Sequence, residues 1–457
     1  MSFSEAMLAG LAPDGGLYVP KTYPALTRDD IAGFAGRRYT EVAQAVIAPY
    51  LGGEVEPPVL TRMVEAAYAG FNHPAVTPLV QLDDNLFFLE LFHGPTLAFK
   101  DVAMQLLARM MDHALGARDQ RLTIVGATSG DTGAAAVEAF KGRDNIDVFF
   151  LYPHNRISDV QRRQMTTAPE DNIHIIALEG TFDDAQAILK ALFNDKAFRG
   201  DVALTGVNSI NWARVVAQIV YYFVSAVALG SPHRPVSFAV PTGNFGDILA
   251  GYIAKRMGLP VERLIVATNE NDILTRTLES GRYEVRGVTP TQSPSMDIQV
   301  SSNFERLLFD AAHRDAGMVR NYMARLKQSG AFDVAASDLA AIRADFAAFA
   351  VGEPATRAEI ARTYRETGYI LDPHSAVGVS AARAALAKDS MPTIALGTAH
   401  PAKFPDSVVQ ATGIKPALPA RLSAITEGRE RFDVLANDQV AIADYIRARA
   451  RAARLPA

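Results

Sequence analysis

The chain has 457 residues, more than one hydrophobic core usually organises, so we expect two or more domains around a shared cleft. Its formal net charge of -5 excludes the basic stripe of a nucleic-acid-binding surface. The absence of cysteine excludes disulfides, thiolate metal sites and cysteine nucleophiles, and it suits a reducing compartment.

No targeting or membrane segment is evident. Residues 1–20 contain acidic side chains and lack a basic region followed by an apolar core, so we expect no signal peptide. The most apolar run, residues 215–230, contains Gln218 and Ser225 and is shorter than the roughly 20 residues of a membrane span. We therefore predict a buried helix there and a cytoplasmic protein.

The predicted elements fall into three parts in chain order. Residues 1–80 have mainly helical patterns, and residues 81–230 and 231–457 each alternate short apolar runs with amphipathic helices, which predicts two parallel-sheet α/β domains. Residues 281–303 resist this pattern and predict a long irregular excursion. The predicted strands are almost continuously apolar, as in sheets covered on both faces, and span residues 86–89, 122–126, 148–152, 173–178, 236–240, 264–267 and 394–397.

The first turn of chemical interest, residues 91–101, follows a strand and precedes the helix predicted at 102–115. Lys100 would lie at the N-terminus of that helix, where the dipole and burial both favour the neutral amine that imine chemistry needs. The alternative is a solvated surface pair of Lys100 with Asp101, although the apolar residues 97–99 favour a buried wall.

Two further strand-to-helix turns suit anions. Residues 126–133 combine small residues with the hydroxyls of Thr128, Ser129 and Thr132, and residues 241–247 place Gly243 and Gly246 around two residues whose backbone N–H groups can hold a phosphate. Ordinary capped or glycine-rich turns are the alternatives. Either turn alone is a weak signal, and both together with Lys100 indicate one site at the carboxyl ends of the strands.

These three turns resemble the threonine synthases, in the longer subgroup found in bacteria and fungi. The similarity continues in residues 11–20, 269–275, 293–298, 371–378 and 397–404, and so runs in order along nearly the whole chain. It implies fold type II of the pyridoxal-phosphate enzymes (tryptophan synthase β-like), with an N-terminal mainly helical extension. It also implies the last step of threonine biosynthesis, in which O-phospho-L-homoserine and water give L-threonine and phosphate.

The resemblance also implies roles for individual residues. Lys100 matches the lysine that holds pyridoxal phosphate as a Schiff base and exchanges protons with the substrate, and Thr398 matches the residue at the pyridine nitrogen. Asp131 stands where many relatives of the wider fold carry Asn, which leaves open how it meets the phenolic oxygen of the cofactor. The remaining matches are to the cofactor phosphate (Gly243, Asn244, Phe245, Gly246), the substrate phosphate (Asn208, Ser209, Arg214) and the substrate carboxylate with its neighbouring groups (Thr128, Ser129, Thr132).

Some residues and questions stay outside this assignment. We interpret His93 and His400 as structural residues and Lys403 and Lys141 as solvated side chains. The histidines have no close paired spacing, so we predict no metal site. A monomer is favoured slightly over a homodimer, with a small-molecule substrate and no nucleic-acid or membrane partner. Two alternatives remain open: another lyase or dehydratase that uses the same cofactor, and a non-catalytic relative that only binds it.

Overall fold

The computed structural model describes residues 1–386 and 391–454. The strands of this part of the chain are β1 (Leu79–Asp83), β2 (Leu86–Glu90), β3 (Leu122–Ala127), β4 (Ile146–Pro153), β5 (Ile173–Glu179), β6 (Leu204–Thr205), β7 (Val236–Pro241), β8 (Val261–Thr268), β9 (Arg282–Glu284), β10 (Ala331–Asp333), β11 (Phe346–Ala350), β12 (Thr393–Gly397) and β13 (Asp433–Ala436).

The α-helices of the same part are α1 (Phe3–Ala9), α2 (Arg28–Ala32), α3 (Tyr39–Leu51), α4 (Pro57–Tyr68), α5 (Lys100–Gly116), α6 (Asp131–Phe140), α7 (Asp159–Thr166), α8 (Phe182–Asn194), α9 (Lys196–Asp201), α10 (Trp212–Ala228), α11 (Gly246–Arg256), α12 (Ile273–Ser280), α13 (Phe304–Ala311), α14 (Ala316–Ser329), α15 (Ala336–Asp345), α16 (Glu353–Thr367), α17 (Pro373–Leu386), α18 (Pro405–Thr412), α19 (Ser423–Glu427) and α20 (Gln439–Arg449). Short 3-10 turns lie at Pro294–Met296, Pro401–Lys403, Ala420–Leu422 and Ala452–Arg454.

Two sheets carry the fold. The larger sheet has the strand order β1-β2-β12-β7-β8-β11, and its neighbouring strands are parallel except for the hairpin of β1 and β2. The second sheet has the order β13-β5-β4-β3-β6 and is parallel throughout. Parallel strands require crossover connections, which the intervening helices supply. The predicted α/β class with parallel sheets is therefore confirmed.

Each predicted strand lies inside an observed one, because these strands are covered on both faces. Every residue of β4, β7 and β12 is buried, which accounts for their continuous apolar runs. The prediction missed β6, β9 and β10, which are only two or three residues long, and the longer edge strands β1, β11 and β13. Their partly exposed positions interrupt the apolar pattern that identified the central strands.

The sheets do not follow the predicted three-part division at two places. β2 precedes residue 230 yet pairs with β12 in the larger sheet, and β13 lies near the C-terminus yet pairs with β5 in the second sheet. The boundaries at residues 80 and 230 stay a prediction. The excursion predicted at residues 281–303 begins with β9, which pairs with β10, and is otherwise irregular apart from the turn Pro294–Met296.

The N-terminal helices pack against α10, as a mainly helical extension to the α/β core. The Asn211 side chain donates to the Met7 carbonyl (2.8 Å), and the Thr205 hydroxyl donates to the Leu8 carbonyl (2.7 Å). Helix α10 is buried along almost its whole length, as predicted for the apolar run that it contains. Within the described ranges, no helix combines the length and apolar character needed to cross a bilayer.

The packing of the extension can be tested at Phe223 on α10. Its side chain is fully buried, and its ring meets that of Phe34 edge-on at a centroid distance of 5.9 Å. Phe223→Ala should lower the free energy of unfolding by about 3–5 kcal/mol, because it removes buried apolar surface and leaves a cavity. Urea unfolding measures the change, and Val440→Ala, at a 67% exposed position, is the control. Equal stability of the two variants would contradict this packing.

Candidate active site

The carboxyl ends of strands from both sheets meet at one cavity of about 700 Å³. Strands β2, β7 and β12 run in the same direction, so the segments that follow them lie at one edge of the larger sheet. The segment after β3 comes from the second sheet. All but one of the predicted site residues line the cavity: Lys100, Thr128, Ser129, Thr132, Asn208, Ser209, Arg214, Gly243, Asn244, Phe245, Gly246 and Thr398.

Lys100 is the first residue of α5, and its Nζ atom reaches the cavity from a nearly buried side chain. Nζ lies 3.5 Å from Asp131 Oδ2 and 3.5 Å from the Ser295 hydroxyl. Burial lowers the pKa of the Lys100 ammonium, Asp131 offsets part of this effect, and repulsion from Lys403 and Arg214 lowers the pKa further. The direction of this shift is the one that the sequence analysis expects.

The turn before Lys100 is held rigidly by Asp101. The Asp101 carboxylate is fully buried and accepts hydrogen bonds from the Thr96 backbone N–H (2.8 Å) and hydroxyl (2.7 Å). A Cβ atom at Gly94 would lie 2.4 Å from the Asp101 Cβ, so only glycine fits there. The alternative of a solvated pair between Lys100 and Asp101 is therefore wrong.

Asp131, the predicted site residue outside the cavity lining, sits between two lysines. Burial would raise the pKa of its carboxyl, but attraction to Lys403 and Lys100 and hydrogen bonds from Lys403 and Gln161 lower that pKa well below its usual range. The prediction of a solvated Lys403 is wrong. The Lys403 side chain is fully buried, and its Nζ atom lies 2.7 Å from Asp131 Oδ1.

The turn after β3 is shaped by Thr128. Its hydroxyl oxygen accepts hydrogen bonds from the backbone N–H groups of Gly130 and Gly133, both at 2.9 Å. This leaves the hydroxyl proton as the group that Thr128 can offer to the cavity. Ser129 and Thr132 flank it and are only partly buried.

The turn after β7 leads into the N-terminus of α11. Phe245 is the N-cap residue and adopts a left-handed conformation with φ +62°. The first N–H groups of a helix lack intrahelical acceptors, so this end of α11 attracts anions. The Asn303 side chain donates to the carbonyls of Asn244 (3.0 Å) and Ser209 (3.2 Å), which joins this turn to the segment before α10.

Arg214 brings an unneutralised cation into the cavity. Its side chain is 4% exposed, and its Nη1 donates to the Val207 carbonyl at 3.0 Å. Burial lowers the pKa of its guanidinium to about 10. Among the residues that the structure describes, none accepts a hydrogen bond from its buried Nε atom. A guanidinium that borders a cavity and has an unpaired N–H group is suited to an anionic ligand.

Thr398 is fixed next to the Lys100 turn. Its carbonyl accepts the Phe99 N–H at 2.9 Å, and its own N–H donates to the Ser375 hydroxyl at 3.1 Å. The nearby His374 Nε2 accepts the Ser295 N–H at 3.2 Å and so ties the excursion to the same wall.

The sequence reasoning gave no role to several residues that shape this site. Ser295 and Lys403 lie inside stretches that carry the resemblance, which was the one available signal. Arg306 carries no such signal in the sequence. Its side chain is 2% exposed and donates hydrogen bonds to the carbonyls of Tyr18 (3.0 Å) and Ile210 (2.8 Å). In residues 1–386 and 391–454, no group of three or more histidines and carboxylates is placed to hold a metal ion.

Comparison with known proteins identifies the family models that the chain matches. Residues 71–395 match the model described as pyridoxal-phosphate dependent enzyme, residues 1–68 match threonine synthase N terminus, and residues 375–446 match threonine synthase, C-terminal. A threonine synthase of Pseudomonas aeruginosa is 51% identical over 98% of this chain and 95% of its own length.

Solved structures agree with these matches. A pyridoxal-phosphate-bound threonine synthase from Brucella melitensis has a TM-score of 0.96 and 57% identity, covering 99% of this chain and 97% of its own. The threonine synthase from yeast has a TM-score of 0.93 and 40% identity, covering 98% and 96%.

His400, beside Thr398, should make the fold sensitive to acid. Its Nδ1 accepts the Ala402 N–H at 3.1 Å, and burial lowers its pKa to about 4, with smaller effects of Asp372, His93, Arg421 and Glu90. The unfolded chain binds this proton near pH 6.5 and the folded chain does not, so stability falls as pH drops from about 6.5 to 4. The loss should reach on the order of 2–3 kcal/mol at pH 4.

His400→Asn keeps an oxygen acceptor for the Ala402 N–H and removes the titrating ring. Urea unfolding between pH 4 and pH 7 should show a shallower loss of stability than in the parent protein. The control is His233→Asn, at an exposed histidine, which should leave the slope unchanged. Parallel pH profiles for parent and His400→Asn would show that this ring does not cause the acid sensitivity.

Proposed function

This chain belongs to the threonine synthase family of pyridoxal-phosphate-dependent enzymes, and on that premise we propose that it converts O-phospho-L-homoserine and water into L-threonine and phosphate. The observation that carries the proposal is one cavity in which a buried lysine faces two separate anion-binding features, the N-terminus of α11 and Arg214. A phosphorylated cofactor and a phosphorylated substrate need two such features.

The residues present fit the cofactor. Pyridoxal phosphate supplies an electron sink for the carbanions that form next to the substrate amine. We assign the covalent attachment to Lys100, whose lowered pKa favours the reactive free amine. Backbone N–H groups of residues 243–246 would hold the phosphate at the start of α11. Thr398 would meet the pyridine nitrogen, and Asp131 would lie on the side of the phenolic oxygen.

The substrate would occupy the opposite side of the cavity. Arg214 offers free guanidinium donors to the substrate phosphate, together with the side chains of Asn208 and Ser209. The carboxylate would be received by Thr128, Ser129 and Thr132, at the start of α6.

Proton movement falls to Lys100. The reaction removes a proton from Cα and later one from Cβ and releases phosphate from Cγ. It is completed by protonation of Cγ, addition of water at Cβ and return of a proton to Cα. A neutral amine in the cavity can accept and return those protons, and a permanently charged one cannot. The leaving phosphate gains charge as its bond to Cγ breaks, and Arg214 would stabilise it.

The proposal extends to the setting in which the chain acts. We assign it to the cytoplasm, a reducing compartment that a chain without cysteine suits, and to a monomer, which the resemblance to the longer threonine synthase subgroup favours. The alternative is dehydration of serine or threonine with the same cofactor. Arg214 disfavours it, because these substrates carry no phosphate that could pair with its guanidinium. Production of both threonine and inorganic phosphate from O-phosphohomoserine distinguishes the readings.

Lys100→Ala should abolish phosphate release and the visible absorbance of the bound cofactor, because the variant lacks the amine for attachment and proton transfer. A loss of at least roughly 10²- to 10⁴-fold is expected for the acid–base role alone. Phosphate release and absorbance spectra measure the two effects. Lys141→Ala removes a lysine paired with Glu138 outside the cavity and serves as the control. Turnover retained by Lys100→Ala would end the assignment.

Arg214→Ala should raise the KM for O-phosphohomoserine far more than it weakens cofactor binding. Losing a buried charge-assisted contact costs about 2–4 kcal/mol, which is roughly 30- to 1,000-fold in kcat/KM. Steady-state kinetics and cofactor titration separate the two effects. Arg156→Ala, at an exposed arginine that also borders the cavity, should change kcat/KM much less. Equal losses of substrate and cofactor affinity would contradict the role of Arg214.

A further inference from the structure

A second lysine lies behind the reactive one. Lys403 follows β12 in the 3-10 turn Pro401–Lys403, and its side chain is fully buried. Its Nζ atom lies 2.7 Å from Asp131 Oδ1 and 2.9 Å from the Thr96 carbonyl. A lysine is seldom fully buried unless it is paired, so these two acceptors account for its position.

The two oxygens of Asp131 are used differently. Oδ1 accepts short hydrogen bonds from Lys403 and from the Gln161 amide, at 2.7 and 2.9 Å. Oδ2 faces Lys100 at 3.5 Å, at the outer limit of a hydrogen bond. Charge-assisted hydrogen bonds are usually 2.7–2.9 Å long, so the firm ion pair of Asp131 is with Lys403.

We propose that Lys403 is a positioning residue that forms the ion pair with Asp131, so that Lys100 is not held as the ion-pair partner of that carboxylate. Asp131 is the carboxylate that attracts Lys100, and one carboxylate cannot neutralise two ammonium groups. Asp101, the other buried carboxylate next to this turn, attracts Lys403. Lys403 has the shorter contact and a second acceptor, whereas Lys100 has a long contact and borders the open cavity. Lys100 therefore gives up its proton more readily, while Asp131 stays ionised and fixed in orientation.

Contacts around Lys403 also link the turn of Lys100 to α6. The Thr96 carbonyl that accepts from Lys403 also accepts from the Gln164 amide at 3.0 Å. The N–H and hydroxyl of the same Thr96 residue hold Asp101, the neighbour of Lys100. Lys403 thus connects the backbone before Lys100 to the carboxylate that faces its amine.

The other groups around Lys100 do not supply an alternative counter-charge. Arg214 on α10 repels it, and Ser295 from the excursion is neutral. Five further titratable groups line the same cavity: Arg156, Asp183, Asp247, Asp297 and His374. Asp183 is exposed, and the Asp297 carboxylate accepts hydrogen bonds from Asn269, Asn271 and Thr291. Asp247 on α11 accepts hydrogen bonds from the hydroxyls of Tyr221 and Tyr222, and His374 on α17 has its Nδ1 3.0 Å from Asp372.

The inference rests on the proposed role of Lys100, but it can be tested without turnover. In the full-length protein stripped of cofactor, acetylation of Lys100 follows the fraction of neutral amine, and mass spectrometry of the Lys100 peptide measures it against pH. Lys403→Met should raise the midpoint of this profile by about one pH unit or more, because Asp131 then pairs with Lys100. Lys141→Met, at the half-exposed lysine paired with Glu138, should leave it unchanged.

The double variant Asp131→Asn, Lys403→Met should bring the midpoint back near the parent value, because it removes both charges. Asp131→Asn alone should lower the midpoint. Visible absorbance gives a second readout, since cofactor capture should need a higher pH in Lys403→Met than in the parent. The two hypotheses fail in different ways. If Lys100 were not the cofactor lysine, the Lys100→Ala variant would still bind cofactor covalently. The pH profile of Lys100 acetylation would even then show whether Lys403 changes the protonation of Lys100.

A Lys403→Met protein that loses thermal stability but keeps the parent midpoint would reduce Lys403 to a structural residue and overturn the inference. If Lys403→Met alone does not fold, the comparison moves to Asp131→Asn with and without Lys403→Met. There the midpoint should rise when the Lys403 charge is removed, and equal midpoints would overturn the inference in the same way.

Discussion

The structure around the cavity depends on the charges that act on Lys100, which are attraction by the Asp131 carboxylate and repulsion by two buried cations, Lys403 and Arg214. Charges out of water must be paired, solvated by a ligand or lost, because the interior does not stabilise an isolated ion. Asp131 forms its short ion pair with Lys403, with 2.7 Å between Lys403 Nζ and Asp131 Oδ1. In the proposed function the other two cations have different roles: Lys100 loses its proton and acts as nucleophile and base, whereas Arg214 keeps its charge and binds an anion. The same set of charges therefore suits both the amine chemistry and a phosphorylated substrate.

The topology brings these groups together from distant parts of the chain. Strand β12 inserts between β2 and β7, so the turn that holds Thr398 and Lys403 lies between the turn of Lys100 and the start of α11. Asp131 belongs to the second sheet's part of the fold, because it is the first residue of α6, which follows β3. Parallel strands place the carboxyl ends of these segments at shared edges, so residues far apart in sequence come to face one cavity.

The central strands and the turns that follow them could be predicted, because the residues that identify them are close together in the sequence. Central strands such as β4 and β7 are apolar on both faces, and the turns after β3 and β7 carry glycines and hydroxyls within a few residues. The burial of Lys403 could not be predicted in this way. Its partner Asp131 is remote in sequence, and a lysine between Ala402 and Phe404 gives no local sign of an ion pair. The edge strands β1 and β13 were missed for a related reason, since their pairing, and not their pattern, makes them strands.

The buried state of Arg214 also bears on substrate choice. A guanidinium with a buried, unpaired Nε raises the free energy of the ligand-free site, since desolvation of such a group is not repaid by a partner. On the proposed role of Arg214, a phosphate dianion would supply the missing counter-charge, and an unphosphorylated amino acid would not. Discrimination would then come from an unsatisfied group in the protein as well as from contacts to the substrate. Sites of this kind reject analogues that lack the matching polar group more strongly than apolar pockets reject a missing methylene.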